Sequence, residues 1–291
     1  MKKPVIITGA TSGIGYSVCS ALLSAGYPTI GIGSATESCM AAKESLEKEY
    51  PHAQISFIAA DLMQQREVLR AAREIEGIVA RSYDGALHAL INNAGCVRSR
   101  FMTTEEGYEQ QFALNHLAGF LLSHEFMPLI RENDAAVIFT SSGSHKMTRV
   151  NWKDLMYQRR YRPLLAYKQS KLCNMLTALS LREIGIRAYG VEPGLVRTDI
   201  GNKNTTGAVD FIWGLRKRYG ENPEKPAKIY LALCENSYFG MYYDSDMKEQ
   251  RMNAEVNLEN ARRLYDLSLK LCGYDNNLHR ARYRGQAFQC S

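Results

Sequence analysis

The chain has 291 residues, 45% of them hydrophobic, and Lys+Arg 36 against Asp+Glu 30 gives a formal net charge of +6. That length and apolar content suffice for a large buried core, read as one domain over 1–291, and acidic residues interleaved with the basic ones argue against a nucleic-acid partner. The seven cysteines (19, 39, 96, 173, 234, 272 and 290) are odd in number and lack any Cys-x-x-Cys, which disfavours a disulfide framework or structural zinc and suits a reducing cytoplasm.

The first apolar run, residues 5–7, is far too short for a signal peptide or membrane anchor, and neither is expected. Residues 4–8 read as a strand, β-branched and apolar on both faces, as a covered parallel sheet requires. Gly9-Ala10-Thr11-Ser12-Gly13-Ile14-Gly15 follows, then a helical pattern through Val18, Leu22 and Leu23 that stops at Gly26. In this order of strand, loop and helix, the glycines let backbone N–H groups approach a pyrophosphate lying on the positive helix end. The spacing is Gly-x-x-x-Gly-x-Gly, not the commoner Gly-x-Gly-x-x-Gly.

The second strand, 29–32, ends in Gly33-Ser34-Ala35-Thr36, with no acidic residue to grip a ribose 2′-hydroxyl. NADP(H) is therefore expected over NAD(H). Ser34 serves either to meet the 2′-phosphate or to cap the helix over 37–50. The third strand, 55–59, runs into Asp61-Leu62, where Asp61 either caps the helix over 64–82 or bonds an adenine amino group. The fourth, 89–91, leads to Asn92-Asn93-Ala94-Gly95, small and amide residues that admit a cofactor ribose.

A helix over 104–131 contains Asn115 and Gly119, which both disfavour a helix interior and so call for a reason beyond propensity. The fifth strand, 136–140, delivers Ser141-Ser142, and residues 148–163 read as an insertion at the pocket rim. The next helix, to about 184, carries Tyr167 and Lys171, four residues apart and therefore on one face. A fixed positive charge there favours the phenolate of a tyrosine, whose ordinary pKa is about 10. A strand over 187–191 follows, then Pro193-Gly194, a lid-like stretch at 200–222 and a helix over 223–235. The chain then offers a last strand near 238–243, a helix over 254–272, and a tail, 274–291, that is mobile or meets a partner. The alternation gives an α/β fold: a doubly wound, mostly parallel sheet of about seven strands with helices on both faces, its cofactor half spanning 1–145.

The ordered set Thr8 to Gly15, Asn92 to Gly95, Asn115, Ser142, Tyr167, Lys171 and Pro193-Gly194 resembles the motif series of the short-chain dehydrogenases/reductases. Residues 112–122, 170–174 and 240–249 are most similar to the retinol dehydrogenase-like branch, which extends the likeness to about residue 272. The resemblance implies a Rossmann fold and an NAD(P)-dependent oxidoreductase interconverting a hydrophobic alcohol and its ketone or aldehyde. It makes Tyr167 the acid/base, Lys171 its activator and ribose ligand, Ser142 a second donor to the substrate oxygen, and Asn115 the anchor of a water. Gly9, Gly13 and Gly15 would line the pyrophosphate, Asp61 the adenine, Asn93 the ribose and Thr198 the nicotinamide carboxamide. Thr11, Ser12, Ile14, Ser34, Leu62, Ala94, Gly95, Pro193, Gly194 and Val196 complete the implied cofactor contacts.

The basic residue that NADP-preferring members carry after the second strand is Ser34 here. Pairing through the helices of Asn115 and Tyr167 would give a homodimer, with the insertion positioned to obstruct it. Trp152, Tyr157, Tyr161, Phe211 and Trp213 either form an apolar substrate pocket or pack their own segments, and Cys96 is a small apolar filler or, if exposed, a reactive thiol. The competing reading is a dinucleotide-sensing regulator that catalyses nothing; loss of Tyr167, Lys171 or Ser142 would favour it, and all three are present. No metal site is expected, because His124-Glu125 has no second histidine at zincin spacing.

Overall fold

The computed structural model describes residues 2–194, 196 and 222–274. Among them, β1 (Val5–Thr8), β2 (Thr29–Gly33), β3 (Ile55–Ala59), β4 (Ala89–Asn92), β5 (Ala136–Thr140), β6 (Ala188–Glu192) and β7 (Tyr242–Asp244) form one parallel sheet ordered β3-β2-β1-β4-β5-β6-β7. The helices are α1 (Gly13–Ser24), α2 (Thr36–Glu49), α3 (Gln65–Tyr83), α4 (Gln110–Phe112), α5 (Ala118–Glu125), α6 (Met127–Asn133), α7 (Pro163–Glu183), α8 (Glu224–Glu235) and α9 (Leu258–Leu271). A π-helical turn at Ala113–Leu117 and a 3-10 turn at Gly143–Met147 interrupt them.

Strands β1, β2, β4 and β5 are buried along their whole length, which their β-branched, apolar sequences permit only because helices cover both faces. Alternate side chains serve opposite layers. Ile6, Leu90 and Val137 join Ala72 and Ile75 of α3, Leu122 of α5 and Ala178 of α7, whereas Val5, Ile7, Ile91 and Ile138 join Leu22 of α1 and Ile229 and Leu233 of α8. Strand β1 pairs with β2 on one side and β4 on the other, so the order of winding reverses between β1 and β4. The loops leaving their C-terminal ends diverge there and open a crevice.

Three expectations need correction. The helix over 104–131 is broken: Gly107, at φ +84°, turns the chain so that Thr103 bridges Glu109, the helix starts at Gln110, and Pro128, which has no N–H, sits at the start of a separate α6. The last strand is three residues long and begins at Tyr242; Phe239, inside the expected strand, is fully exposed. Ala35, not Ser34, stands at the N-cap of α2, and Gln64, not Asp61, at that of α3. Helix α9 packs on α7, its Ala261 and Leu264 against Leu172, Cys173 and Leu176. The expected lid beyond residue 196, with Phe211 and Trp213, and the tail beyond Tyr274 lie outside the described residues.

Candidate active site

The crevice at the switch point is a cleft of about 520 Å³, lined at one end by Ser34, Asp61 and Leu62, along its floor by Gly9, Thr11, Ser12, Gly13 and Ile14, and at the other end by Tyr167 and Lys171. Asn93, Ala94, Gly95, Pro193, Gly194 and Val196 also line its walls. Sixteen of the residues anticipated from sequence therefore share one cavity.

The floor is shaped for an anion. Ser12 occupies the N-cap of α1, yet its side chain makes no capping bond, and the first turn holds no acidic residue. A serine at that position ordinarily satisfies one of the orphan N–H groups, so α1 presents its positive end to the cleft uncompensated. Gly9 and Gly13 adopt φ of +68° and +54°. Gly15 does not line the cleft; a Cβ there would lie 2.0 Å from the Gly9 carbonyl, so this glycine lets the helix close onto the loop. An uncapped helix end, two glycines in the floor and a cleft of this volume fit a dinucleotide pyrophosphate.

At the far end, Lys171 is 2% exposed, donates from Nζ to the Thr140 carbonyl at 3.0 Å and lies 5.7 Å from the centroid of the Tyr167 ring. Burial pushes its pKa down to about 8. Tyr167 packs against Val97 and Leu164. Asn115 sits in the π-helical turn, which accounts for its cost in a helix interior: its Oδ1 accepts from Cys96 N at 2.7 Å, and its Nδ2 donates to Cys96 O at 3.0 Å and Ser170 Oγ at 2.9 Å. It does not line the cleft; it brackets the Gly95 strand end to α7, where a Cβ on Gly95 would lie 3.2 Å from Asn115 Oδ1 and 3.4 Å from Lys171 Nζ.

Ser142 also stands just outside the lining, while Thr140 and Ser141 are part of it. Its Oγ accepts from Ser144 N at 3.3 Å and from the Ser144 hydroxyl at 3.0 Å, so its own proton remains to be donated. Behind it, His145 Nδ1 meets the Ser142 carbonyl at 2.8 Å, and burial lowers the His145 pKa.

Sequence reasoning also missed Met63, Arg98, Leu114 and Thr140 in the lining, among which Arg98 donates from Nε to Gln110 Oε1 at 2.7 Å. Position at the C-terminal end of β5 was the available signal for Thr140. Thr198 lies outside the described residues. Of the expected aromatics that lie among the described residues, none lines the cleft: Trp152 packs with α7 and α9 and stacks under the Arg263 guanidinium at 4.2 Å, Tyr157 is buried, and Tyr161 donates to Glu109 at 2.7 Å. These rings found partners within the protein, which is what large apolar surfaces do unless a cavity is held open for them. Cys96 lines the cleft, but burial pushes its thiol up to about 12, away from reactivity. Among the described residues, no group of three or more His, Cys, Asp or Glu side chains could hold a metal ion.

A doubly wound sheet whose switch-point cleft runs from an uncapped helix end to a tyrosine beside a buried lysine defines an NAD(P)-dependent oxidoreductase for an alcohol and its carbonyl partner. A family model described as short chain dehydrogenase matches residues 3–157, and the chain belongs to the short-chain dehydrogenase family. It is similar to mouse retinol dehydrogenase 12, 30% identical over 93% of this chain and 86% of the relative, and to human retinol dehydrogenase 13, 30% identical over 94% and 85%. Of solved structures, a short-chain dehydrogenase from Sphingobium yanoikuyae in complex with NADPH matches at TM-score 0.65 and 18% identity, covering 99% of this chain and 98% of that one. An alcohol dehydrogenase from Thermococcus sibiricus complexed with 5-hydroxy-NADP matches at TM-score 0.65 and 17% identity, over 87% and 100%; both likenesses concern the fold alone.

Proposed function

We propose that the protein interconverts a bulky apolar alcohol and its aldehyde or ketone with NADP(H), using Tyr167 as the acid/base. The observation that carries this reading is the common cleft of Tyr167, Lys171 and the uncapped end of α1. Relatives named retinol dehydrogenase and, over 68% of this chain, polyprenol dehydrogenase support an apolar alcohol. When bound, the nicotinamide cofactor supplies or takes the hydride. Tyr167 holds the substrate oxygen and gives it a proton in reduction or takes one in oxidation. The Lys171 ammonium stabilises negative charge on the tyrosine oxygen, and its burial beside the Thr140 carbonyl fixes its place and keeps water from screening it. Ser142 supplies a second hydrogen bond to the same oxygen. Tyr167→Phe is expected to lower kcat by on the order of 10²- to 10⁴-fold on a panel of bulky carbonyls while leaving NADPH binding within about threefold; wild-type turnover by that variant would remove Tyr167 from the role.

Support for NADP(H) comes from a second cavity of about 370 Å³ where Ser34, Thr36 and Arg66 could meet a phosphate, although Asp61, Glu67 and Glu105 also line it and oppose one. Arg66 pairs with Glu105 at 2.8 Å, but the two side chains are 69% and 63% exposed. An ion pair so wet is worth little and yields readily to a phosphate. Arg66→Ala is expected to raise KM for NADPH about tenfold and leave that for NADH unchanged; equal effects on both cofactors would count against a 2′-phosphate subsite here. The cysteines at 19, 39, 96, 173, 234 and 272 are free thiols, which supports a reducing compartment such as the cytoplasm. Recovery of the full-length protein in a membrane pellet after fractionation would contradict that compartment.

A further inference from the structure

Asn93 is tied at both ends of its amide. Its Nδ2 donates to the Thr8 carbonyl at 3.0 Å and the Gly9 carbonyl at 3.5 Å, groups that only accept, so its Oδ1 must face the opposite way, toward Thr140 Oγ1 at 3.2 Å. A carbonyl oxygen only accepts, and Thr140 has one hydroxyl proton, which is thereby committed to Asn93. The second neighbour of that hydroxyl, Tyr230 OH at 2.7 Å, must then be the donor. Tyr230 is fully buried on α8, so one direction of protons runs from Tyr230 to Thr140 to Asn93 and ends on the carbonyls where the glycine loop begins. The Thr140 main-chain oxygen meanwhile accepts from Lys171 Nζ at 3.0 Å and Asn174 Nδ2 at 3.3 Å.

We propose that Thr140 is a positioning residue for the dinucleotide: its hydroxyl, held by Tyr230, orients the Asn93 amide that fixes the loop from Gly9, while its carbonyl independently anchors Lys171. The inference rests on the NADP(H) reading above and assigns a task to two residues outside the family motif series. Asn93 packs so closely that a Cβ on Gly15 would lie 2.7 Å from its Nδ2, so a rotated amide disturbs the loop directly. A loop no longer held in its binding shape must be ordered by the ligand, which weakens binding. The carbonyl anchor is main chain and survives any substitution.

The variants separate these functions. Thr140→Val keeps the shape and removes the hydroxyl, leaving Asn93 Oδ1 and the Tyr230 proton unmatched; NADPH is expected to bind about tenfold more weakly, and its KM to rise likewise, with kcat at saturation within about twofold. Thr140→Ser retains the hydroxyl and is expected to bind as wild type. Tyr230→Phe leaves the Thr140 donation in place and is expected to cost about twofold or less. The double variant T140V/Y230F no longer buries an unmatched phenol but still leaves Asn93 Oδ1 without its donor, so the thermal midpoint lost in Thr140→Val is regained in part while NADPH affinity stays low. Titration of NADPH fluorescence on each folded protein, with thermal melts of the unliganded forms, reads all of this. Wild-type affinity in Thr140→Val, failure of Thr140→Ser to bind, or affinity regained together with the midpoint in the double variant would each overturn the positioning role. A wild-type protein that binds no NADPH would instead overturn the cofactor reading on which it stands.

Discussion

At the scale of the residue, Lys171 sets the strongest constraint. Its pKa falls from an ordinary 10.5 to about 8 because burial disfavours the charged form. Below about pH 8 the folded and unfolded chains both hold this proton; between about 8 and 10.5 only the unfolded chain does, so stability rises with pH across that window. The penalty at neutral pH is on the order of 3 kcal/mol, a cost retained where a fixed cation is needed. For activity the sign is the reverse: kcat/KM for carbonyl reduction is expected to be level at neutral pH and to fall above an apparent pKa near 8, and Lys171→Met to abolish that inflection. An unchanged inflection in Lys171→Met would assign it to another group. Tyr167, Lys171 and the glycines were legible in the sequence because each position demands one residue type for a stated reason. Ser142 was legible as a hydroxyl at the end of β5, but its step outside the lining follows from the 3-10 turn that Ser144 closes, which no local pattern announces.

At the scale of the element, strands β3 and β5 were readable to the residue, since short, mostly apolar runs between turn signals leave little choice. The insertion was readable as an excess of length and not as an object with a shape. Its form depends on Gln169, which lies between Tyr167 and Lys171 yet turns to the other side of α7: Oε1 accepts from Asn151 N at 2.7 Å and Nε2 donates to Leu155 O at 2.6 Å. Glu109 takes the Tyr161 hydroxyl at 2.7 Å while capping α4, and Gln111 Nε2 donates to the same hydroxyl at 2.6 Å. The helices carrying Asn115 and Tyr167 are thus joined through the insertion. Gln169→Leu preserves volume but leaves the Asn151 N–H and the Leu155 carbonyl unmatched, so the protein is expected to lose about 1–3 kcal/mol of stability and to be cut faster by protease within residues 148–162. Unaltered cleavage there would show that the segment is held by packing alone.

At the scale of the molecule, α9 decides how the chain presents itself. The sequence announced a helix over 254–272, but nothing local said what its buried residues Ala261, Leu264, Ser268 and Leu269 would cover. It lies on α7 and the π-helical turn: Ser180 Oγ donates to Ala261 O at 3.0 Å, Ser268 Oγ meets His116 Nε2 at 2.9 Å, and Tyr265 stands edge-on to Phe120 with ring centroids 5.1 Å apart. Burial pushes His116 down to about 3, so it stays neutral at any physiological pH and the Ser268 bond does not titrate. Arg262 pairs with Glu183 at one end of the helix, and beyond the other Tyr274 donates to Glu125. A second copy could reach this face only after α9 had lifted and exposed Leu172, Leu176, Ala261 and Leu264, at roughly 1.5–3 kcal/mol for each large side chain. The new contact, at about 800 Å² per partner, would first have to recover that loss. Pairing through this face of α7 is therefore not expected, and the mass in light scattering at micromolar concentration, 32.8 kDa for a single chain, is expected to be the same in the wild type and in a Leu264→Ala variant that melts earlier. A species of twice that mass in the wild type, lost on substituting a surface residue of α9, would mean that copies associate over the helix instead of beneath it.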